Sequence, residues 1–165
     1  VGRLTAPSDE RMERRKLYDE SVEPVVRATH PLAGREAVEL AELVDHPWIL
    51  PGAETVLRRE IEELFGRHGF ALPLNRVETT SFLTIRQLLL ETDVVAVLPS
   101  LIARDDSRMV RLSVPLAQIG HSVGLTRSAA RTLSPSAEAL IRSLETVAGD
   151  MAAPSASGRE SDDVA

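Results

Sequence analysis

The sequence contains no cysteine. That excludes a disulfide framework, a thiolate metal site and a thiol nucleophile, and it fits a reducing compartment. Aromatic side chains are scarce as well: one tryptophan, one tyrosine and three phenylalanines among 165 residues. No apolar run approaches the roughly 18 residues of a membrane span, and no charged-then-apolar leader opens the chain. A cytoplasmic protein without a membrane partner is expected. Basic side chains number 19 against 25 acidic ones, a formal charge of −6. Phosphate neutralisation needs clustered Lys and Arg, so this balance argues against a nucleic-acid grip. The basic run Arg11, Arg14, Arg15, Lys16 is interleaved with Glu10 and Glu13 and reads as a solvated segment.

Catalytic apparatus is missing too. The nine glycines are scattered, so no phosphate-cradling loop forms. There is no Gly-x-Ser-x-Gly elbow, and Glu62-Glu63 belongs to a solvated helix face. None of His30, His46, His68 and His121 lies four residues from another. Two precede prolines and one closes a helix, where positive charge suits the dipole. The expectation is no metal, no cofactor, no catalytic residue and no enzyme.

With 43% apolar residues the chain can bury a core, as one ordinary domain or two small lobes sharing a hinge. Pro24 interrupts the apolar stretch 17–31, which predicts two short extended pieces on either side of it. Leu40, Leu43 and Val44 repeat at helical spacing before His46-Pro47. Trp48-Ile49-Leu50 reads as a brief buried strand. Residues 55–68 form the clearest helix, with Leu57, Ile61, Leu64 and Phe65 in one stripe and Arg58, Arg59, Glu62 and Glu63 facing water. Gly69 follows as its terminator. Then come a strand at 76–79, a helix at 81–91, an apolar strand at 94–98 and a helical turn at 101–104. Strands at 109–114 and 122–126 follow. Ser134-Pro135 supplies an N-cap and a first-turn proline for a last helix, with Ala137, Leu140, Ile141, Leu144 and Val147 inward and Gly149 as its end. Residues 151–165 lack periodicity and read as a disordered tail. Strands alternating with helices give α/β architecture and a mainly parallel sheet.

Three strand-to-helix junctions carry small hydroxyl residues: Pro51 to Thr55, Thr79-Thr80-Ser81-Phe82, and Leu98-Pro99-Ser100. In parallel sheets such junctions lie at the carboxyl ends of strands, where open α/β folds bind ligands. Most are only caps, but free N–H groups beside a hydroxyl also suit a carboxylate or a hydroxylated small molecule.

An ordered set of segments resembles the LysR-type transcriptional regulators. It comprises Leu17-Tyr18-Asp19-Glu20, Val25 through Arg35, Ala41-Glu42-Leu43 to Pro47-Trp48-Ile49-Leu50-Pro51, and Val77 through Ile85 with Leu88-Leu89. Asp93 through Pro99, Leu125-Thr126-Arg127 and Leu133 through Ala137 complete it. The resemblance covers most of residues 1–148. It implies an effector-binding domain over 1–150 with type II periplasmic-binding-protein-like lobes. The second lobe would span about 29–118, with the hinge and a partial first lobe at 1–28 and 119–150. Opening on Val1 in what reads as the end of a strand, the chain looks like a fragment. The first lobe is then incomplete, and the bacterial family's N-terminal helix-turn-helix, its only DNA contact, is missing. Carried over position by position, the ligand-binding residues would be Arg3 and Thr5 at the hinge, Thr80, Ser81 and Phe82 at a helix start, and Pro99 below the cleft. The implied function is sensing a small-molecule inducer, an aromatic acid or a sugar, in an interlobe cleft, coupled to transcription control in the intact protein. The family also implies a homo-oligomer, with helix 55–68 as the pairing candidate. A solute-binding protein of the same fold is the alternative.

Overall fold

The computed structural model describes residues 1–4, 11–104, 106–114 and 119–152. The chain divides into two compact units: unit 1 is residues 1–19 with 121–165, and unit 2 is residues 20–120. In chain order the strands are β1 (Gly2–Arg3), β2 (Met12–Arg27), β3 (Trp48–Leu50), β4 (Arg76–Glu78), β5 (Val95–Pro99), β6 (Met109–Arg111) and β7 (Gly120–Ser128). The helices are α1 (Leu40–Val44), α2 (Val56–Arg67), α3 (Phe82–Glu91), α4 (Ser100–Arg104) and α5 (Pro135–Ala152).

Unit 2 is built on a mixed sheet. β3 pairs in parallel with β4 and with β5, while β2 pairs antiparallel with β5 and β6. Side chains alternate along each strand, and here both faces are apolar. Val22, Val26, Trp48, Leu50, Val95 and Val97 meet Leu40 and Leu43 of α1 and Ile61, Leu64 and Phe65 of α2. Val25, Ile49, Ala96 and Leu98 meet Leu89 of α3 and Ala103 of α4. A sheet covered on both sides needs continuous apolar strands, and 94–98 is one. The Trp48 ring sits edge-on to Phe65 at 5.3 Å, and its Nε1–H donates to the Leu43 carbonyl at 2.7 Å. Its one polar atom is thereby satisfied inside the core.

The expected break at Pro24 does not occur. β2 is one 16-residue strand. The Pro24 carbonyl accepts from Leu112 N–H at 2.9 Å, and Val22 N–H donates to Ile119 O at 3.1 Å. Residues 22 and 24 therefore aim their backbone groups away from β5. The ring nitrogen of Pro24 removes no bond from the β2–β5 ladder.

α2 matches its expected range, with Thr55 as N-cap and His68 as C-cap. Gly69 takes φ 78°, so the N–H groups of Gly69 and Phe70 reach back to Gly66 O at 3.1 Å and Phe65 O at 2.9 Å. One expectation about this helix is overturned. Arg58 does not face water; it is 4% exposed. It stands three and seven residues before Ile61 and Phe65, on the apolar face.

In unit 1, β1 pairs antiparallel with β7, Gly2 opposite Gly124 and Arg3 opposite Val123. A Cβ on Gly124 would lie 2.4 Å from the Arg15 carbonyl, so close strand approach requires glycine there. The Oγ of Ser134 caps α5 by accepting from Ala137 N–H at 3.2 Å. α5 runs past the expected stop at Gly149 to Ala152, because nothing there places glycine in the left-handed region. Met151 and Ala152 are thus helical rather than part of a tail; 153–165 lie outside the described residues. Its inward row is Ala137, Ile141, Leu144 and Ala148. Leu140 and Val147 were expected inward but are 61% and 54% exposed; successive turns carry them to the outer side of that row. β6 also stops three residues short of the expected 114.

Those burial patterns separate the two long helices. Amides in the middle of α2 are expected to exchange more slowly than those in the middle of α5, because α2 buries four side chains and α5, among the described residues, only Ala148. Hydrogen exchange read by mass spectrometry on the monomer checks this, and equal protection contradicts the burial argument.

Candidate functional site

Parallel strands β3, β4 and β5 all end at one edge of the unit 2 sheet. The three hydroxyl-bearing junctions therefore stand in a row there. The first lies between β3 and α2. Thr55 Oγ1 accepts from Arg58 N–H at 3.2 Å and donates to Gly52 O at 2.8 Å. The buried Arg58 side chain then ties three pieces together. Its Nη1 donates to Pro51 O at 3.1 Å and to Glu78 Oε1 at 3.0 Å, and its Nε donates to Glu62 at 2.8 Å. Arg76 Nε also donates to Glu78 Oε1 at 3.0 Å. These donors, Arg76 first and Arg58 second, hold the Glu78 carboxyl below its ordinary range.

The second junction follows β4. Thr79 N–H donates to Leu50 O at 3.0 Å, which fixes it beside the first. Ser81 N–H donates to Thr79 Oγ1 at 3.1 Å. Ser81 Oγ caps α3, accepting from Thr84 N–H at 3.5 Å and from Thr84 Oγ1 at 3.0 Å. The N–H groups of Phe82 and Leu83 have no partner inside a helix that starts with them. The Thr80 hydroxyl is exposed and makes no hydrogen bond among the described residues. Phe82 is exposed beside it. The third junction follows β5, where half-buried Pro99 leads into buried Ser100. Ser100 Oγ and Ser21 Oγ lie 3.1 Å apart.

The structure thus brings Thr80, Ser81 and Phe82 together and sets the Pro51–Thr55 junction next to them. Pro99 is two strands away, roughly 10 Å at ordinary strand spacing. Arg3 is on β1 in unit 1, half-buried. Thr5 lies outside the described residues, as does the turn expected at Pro7-Ser8-Asp9. Sequence reasoning missed Arg58, although its 58/61/65 spacing with the apolar stripe carried the signal. The pairing of Ser100 with Ser21 was not foreseen either; no local pattern announces it, because β2 and β5 meet only in the folded sheet. Among the described residues no group of three or more His, Asp or Glu is placed to hold a metal ion, and no helix is long and apolar enough to cross a membrane.

This two-unit α/β fold, its junctions aligned on one sheet edge, is that of periplasmic-binding-protein-like effector domains. The regulatory domain of CcmR from Synechocystis PCC6803, in complex with 2-PG, superposes with a TM-score of 0.72 at 21% identity, covering 92% of this chain and 73% of that one. The effector-binding domain of QuiR in complex with shikimate gives 0.65 at 17% identity, covering 90% and 70%. The HTH-type transcriptional regulator YdcI of Escherichia coli K12 is 31% identical over 131 residues, 78% of this chain. The chain spans 42% of that regulator's length. The LysR substrate binding domain family model matches residues 2–149, and the chain belongs to this family as an effector-binding domain. The solute-binding alternative finds no support among these relatives.

Cap geometry sets the order of two substitutions. Thr55→Ala, which loses two hydrogen bonds, is expected to cost about 1–2 kcal/mol, and Ser81→Ala, whose cap bond is longer, about 0.5 kcal/mol. Arg58→Met is expected to cost roughly 1.5–3 kcal/mol by stripping the Pro51 carbonyl and two carboxylates of their donor. Urea unfolding measures all three. The Glu78 carboxyl is lowered from 4.5 in the fold. Its contribution is therefore present above that pH and fades as pH falls through the lowered value. The stability difference between wild type and Glu78→Gln should shrink over the same range.

Proposed function

We propose that this domain senses a small hydroxylated or acidic effector and passes its occupancy to a DNA-binding part of the longer regulator, from the cytoplasm and without catalysis. The observation that carries the reading is the junction at Thr80-Ser81-Phe82. It offers an unengaged hydroxyl, the free N–H groups of Phe82 and Leu83 and the positive end of the ten-residue helix α3. Thr80, Ser81 and Phe82 are the proposed contacts, with Pro99 farther along the edge. Arg3 and Thr5 are kept in the proposal because the family resemblance implies them, a planar guanidinium being matched to the two oxygens of a carboxylate. Shikimate on QuiR is both hydroxylated and acidic, which supports this ligand class over a neutral aromatic one. Aromatic acids and sugars are the classes to screen.

Pairing with a second copy belongs to the same reading. The outer face of α2 carries Arg59, Glu62 and Glu63, which suits water. Leu74 and Leu83, at 95% and 79% exposed, flank the free edge of β4 and the start of α3, and they make that edge the better candidate. DNA contact is assigned outside these residues because the charge is −6 and no basic helix is present among the described elements.

Calorimetry with a panel of hydroxylated acids, aromatic acids and sugars tests the site. For the ligand that binds, Thr80→Val is expected to weaken affinity about tenfold, the worth of one hydrogen bond, with the unfolding midpoint unchanged. Unaltered affinity in both Thr80→Val and Ser81→Ala moves the site away from this junction. A fluorescence titration with duplex DNA at about 50 mM salt, where non-specific phosphate binding is favoured, is expected to stay flat. A tight, salt-sensitive complex overturns the assignment of DNA contact elsewhere.

A further inference from the structure

His30, His46 and Asp93 come from separate stretches of chain and gather at the edge of unit 2 opposite the junctions. β2 ends at Arg27, β3 begins at Trp48 and β5 begins at Val95. β2 runs antiparallel to β5 and β3 parallel to it, so these three strand ends share one edge. His30 is 4% exposed, and its ring centroid lies 4.8 Å from that of His46. Its Nδ1 accepts the Leu32 N–H at 3.1 Å. That nitrogen therefore carries no proton, and the ring's one N–H is at Nε2. Nε2 is buried without a well-formed hydrogen bond. The nearby carboxylate, Asp93, already accepts from Arg27 Nε at 2.9 Å.

We propose that His30 and His46 form an acid-sensitive clasp: a second proton on His30 opens the turn at residues 28–34 while the junction edge keeps its structure. Protonated Nδ1 can no longer accept from Leu32, so two N–H groups face one another. The new charge is buried against the His46 ring and close to the Arg27 guanidinium, opposed by the Asp93 carboxylate, already shared with Arg27, and by the Asp93 backbone carbonyl. The turn itself rests on His30 N–H to Arg27 O at 3.0 Å and Ala33 N–H to His30 O at 2.9 Å, and it seats Leu32 in the core. Burial first, and the charge of His46 second, hold the imidazole of His30 below its ordinary value, with Asp93 opposing them. A lowered folded value means that the open or unfolded chain binds the proton better. The clasp contributes fully above the ordinary imidazole value of about 6.5 and loses strength as pH falls below it. Because the clasp and the junctions occupy opposite edges, acid would act on the domain without competing for the effector contacts.

Amide exchange of Leu32 and Val97 in the intact chain, corrected for intrinsic rates and followed by NMR from pH 7.5 to 5, tests the proposal. The imidazole titrations are read from the same samples. Protection of Leu32 is expected to fall by about tenfold per pH unit at the steepest point, while Val97 stays protected. His30→Gln, which can still accept from Leu32 but does not titrate, is expected to abolish that fall. Parallel loss at Leu32 and Val97, or an unchanged fall in folded His30→Gln, overturns the clasp. Should His30→Gln not fold, the wild-type ring decides. A His30 midpoint at or above about 6.5 overturns the proposal, and a depressed midpoint, with the loss at Leu32 running from about 6.5 down to it, supports it.

Discussion

The two-residue alternation of β3 and β5 governs unit 2. Each strand divides its side chains between two apolar layers, so no polar residue can enter 95–98 without meeting a helix on one side or the other. Trp48 and Leu50 belong to the α1–α2 layer, and Ile49 between them belongs to the α3–α4 layer. The backbone groups of these strands are spent on one another, and their ends are the first points where the chain is free to carry polar function. The hydroxyl residues appear there, at 55, 79–81 and 100. The proposed site is a boundary effect of the core.

Much of this was legible in the residues themselves. Trp48-Ile49-Leu50 and 95–98 are too short and too apolar for anything but buried strands between helices. Thr55 and Ser81 announce helix starts because their side chains can bond the N–H groups that a helix leaves open. The main misreadings turn on what the folded chain brings against a residue. Pro24 looks like a breaker until Leu112 and Ile119 show which side its nitrogen faces. Arg58 looks solvated until Pro51 and Glu78 arrive to satisfy its guanidinium. Leu140 and Val147 look inward because a helix of small residues permits more than one apolar face, and only packing chooses between them.

The charge distribution at the junction edge has its own logic. Arg58 is a cation within reach of the loop between β3 and α2, yet Glu62 and Glu78 neutralise it, and Arg76 shares Glu78. The network supports the ends of β3 and β4 without presenting a field to the space beyond them. Recognition at Thr80 and Ser81, as proposed, would then depend on the direction of N–H and O–H groups, which discriminates among small polar molecules by shape as well as by charge.

Pro24 has a further effect on how β2 settles against β5. In the native pairing Pro24 stands opposite Val97 and Val22 opposite Pro99, so the pyrrolidine nitrogen of Pro24 faces away from β5 and removes no bond from that ladder. A shift of β2 by one residue would turn that nitrogen toward β5, deleting a bond, and would send Val22 and Val26 to the layer that belongs to Val25. Two independent penalties then fall on the same error. The proline inside the longest strand acts as a register key, making the misaligned pairing a poor trap for a folding chain.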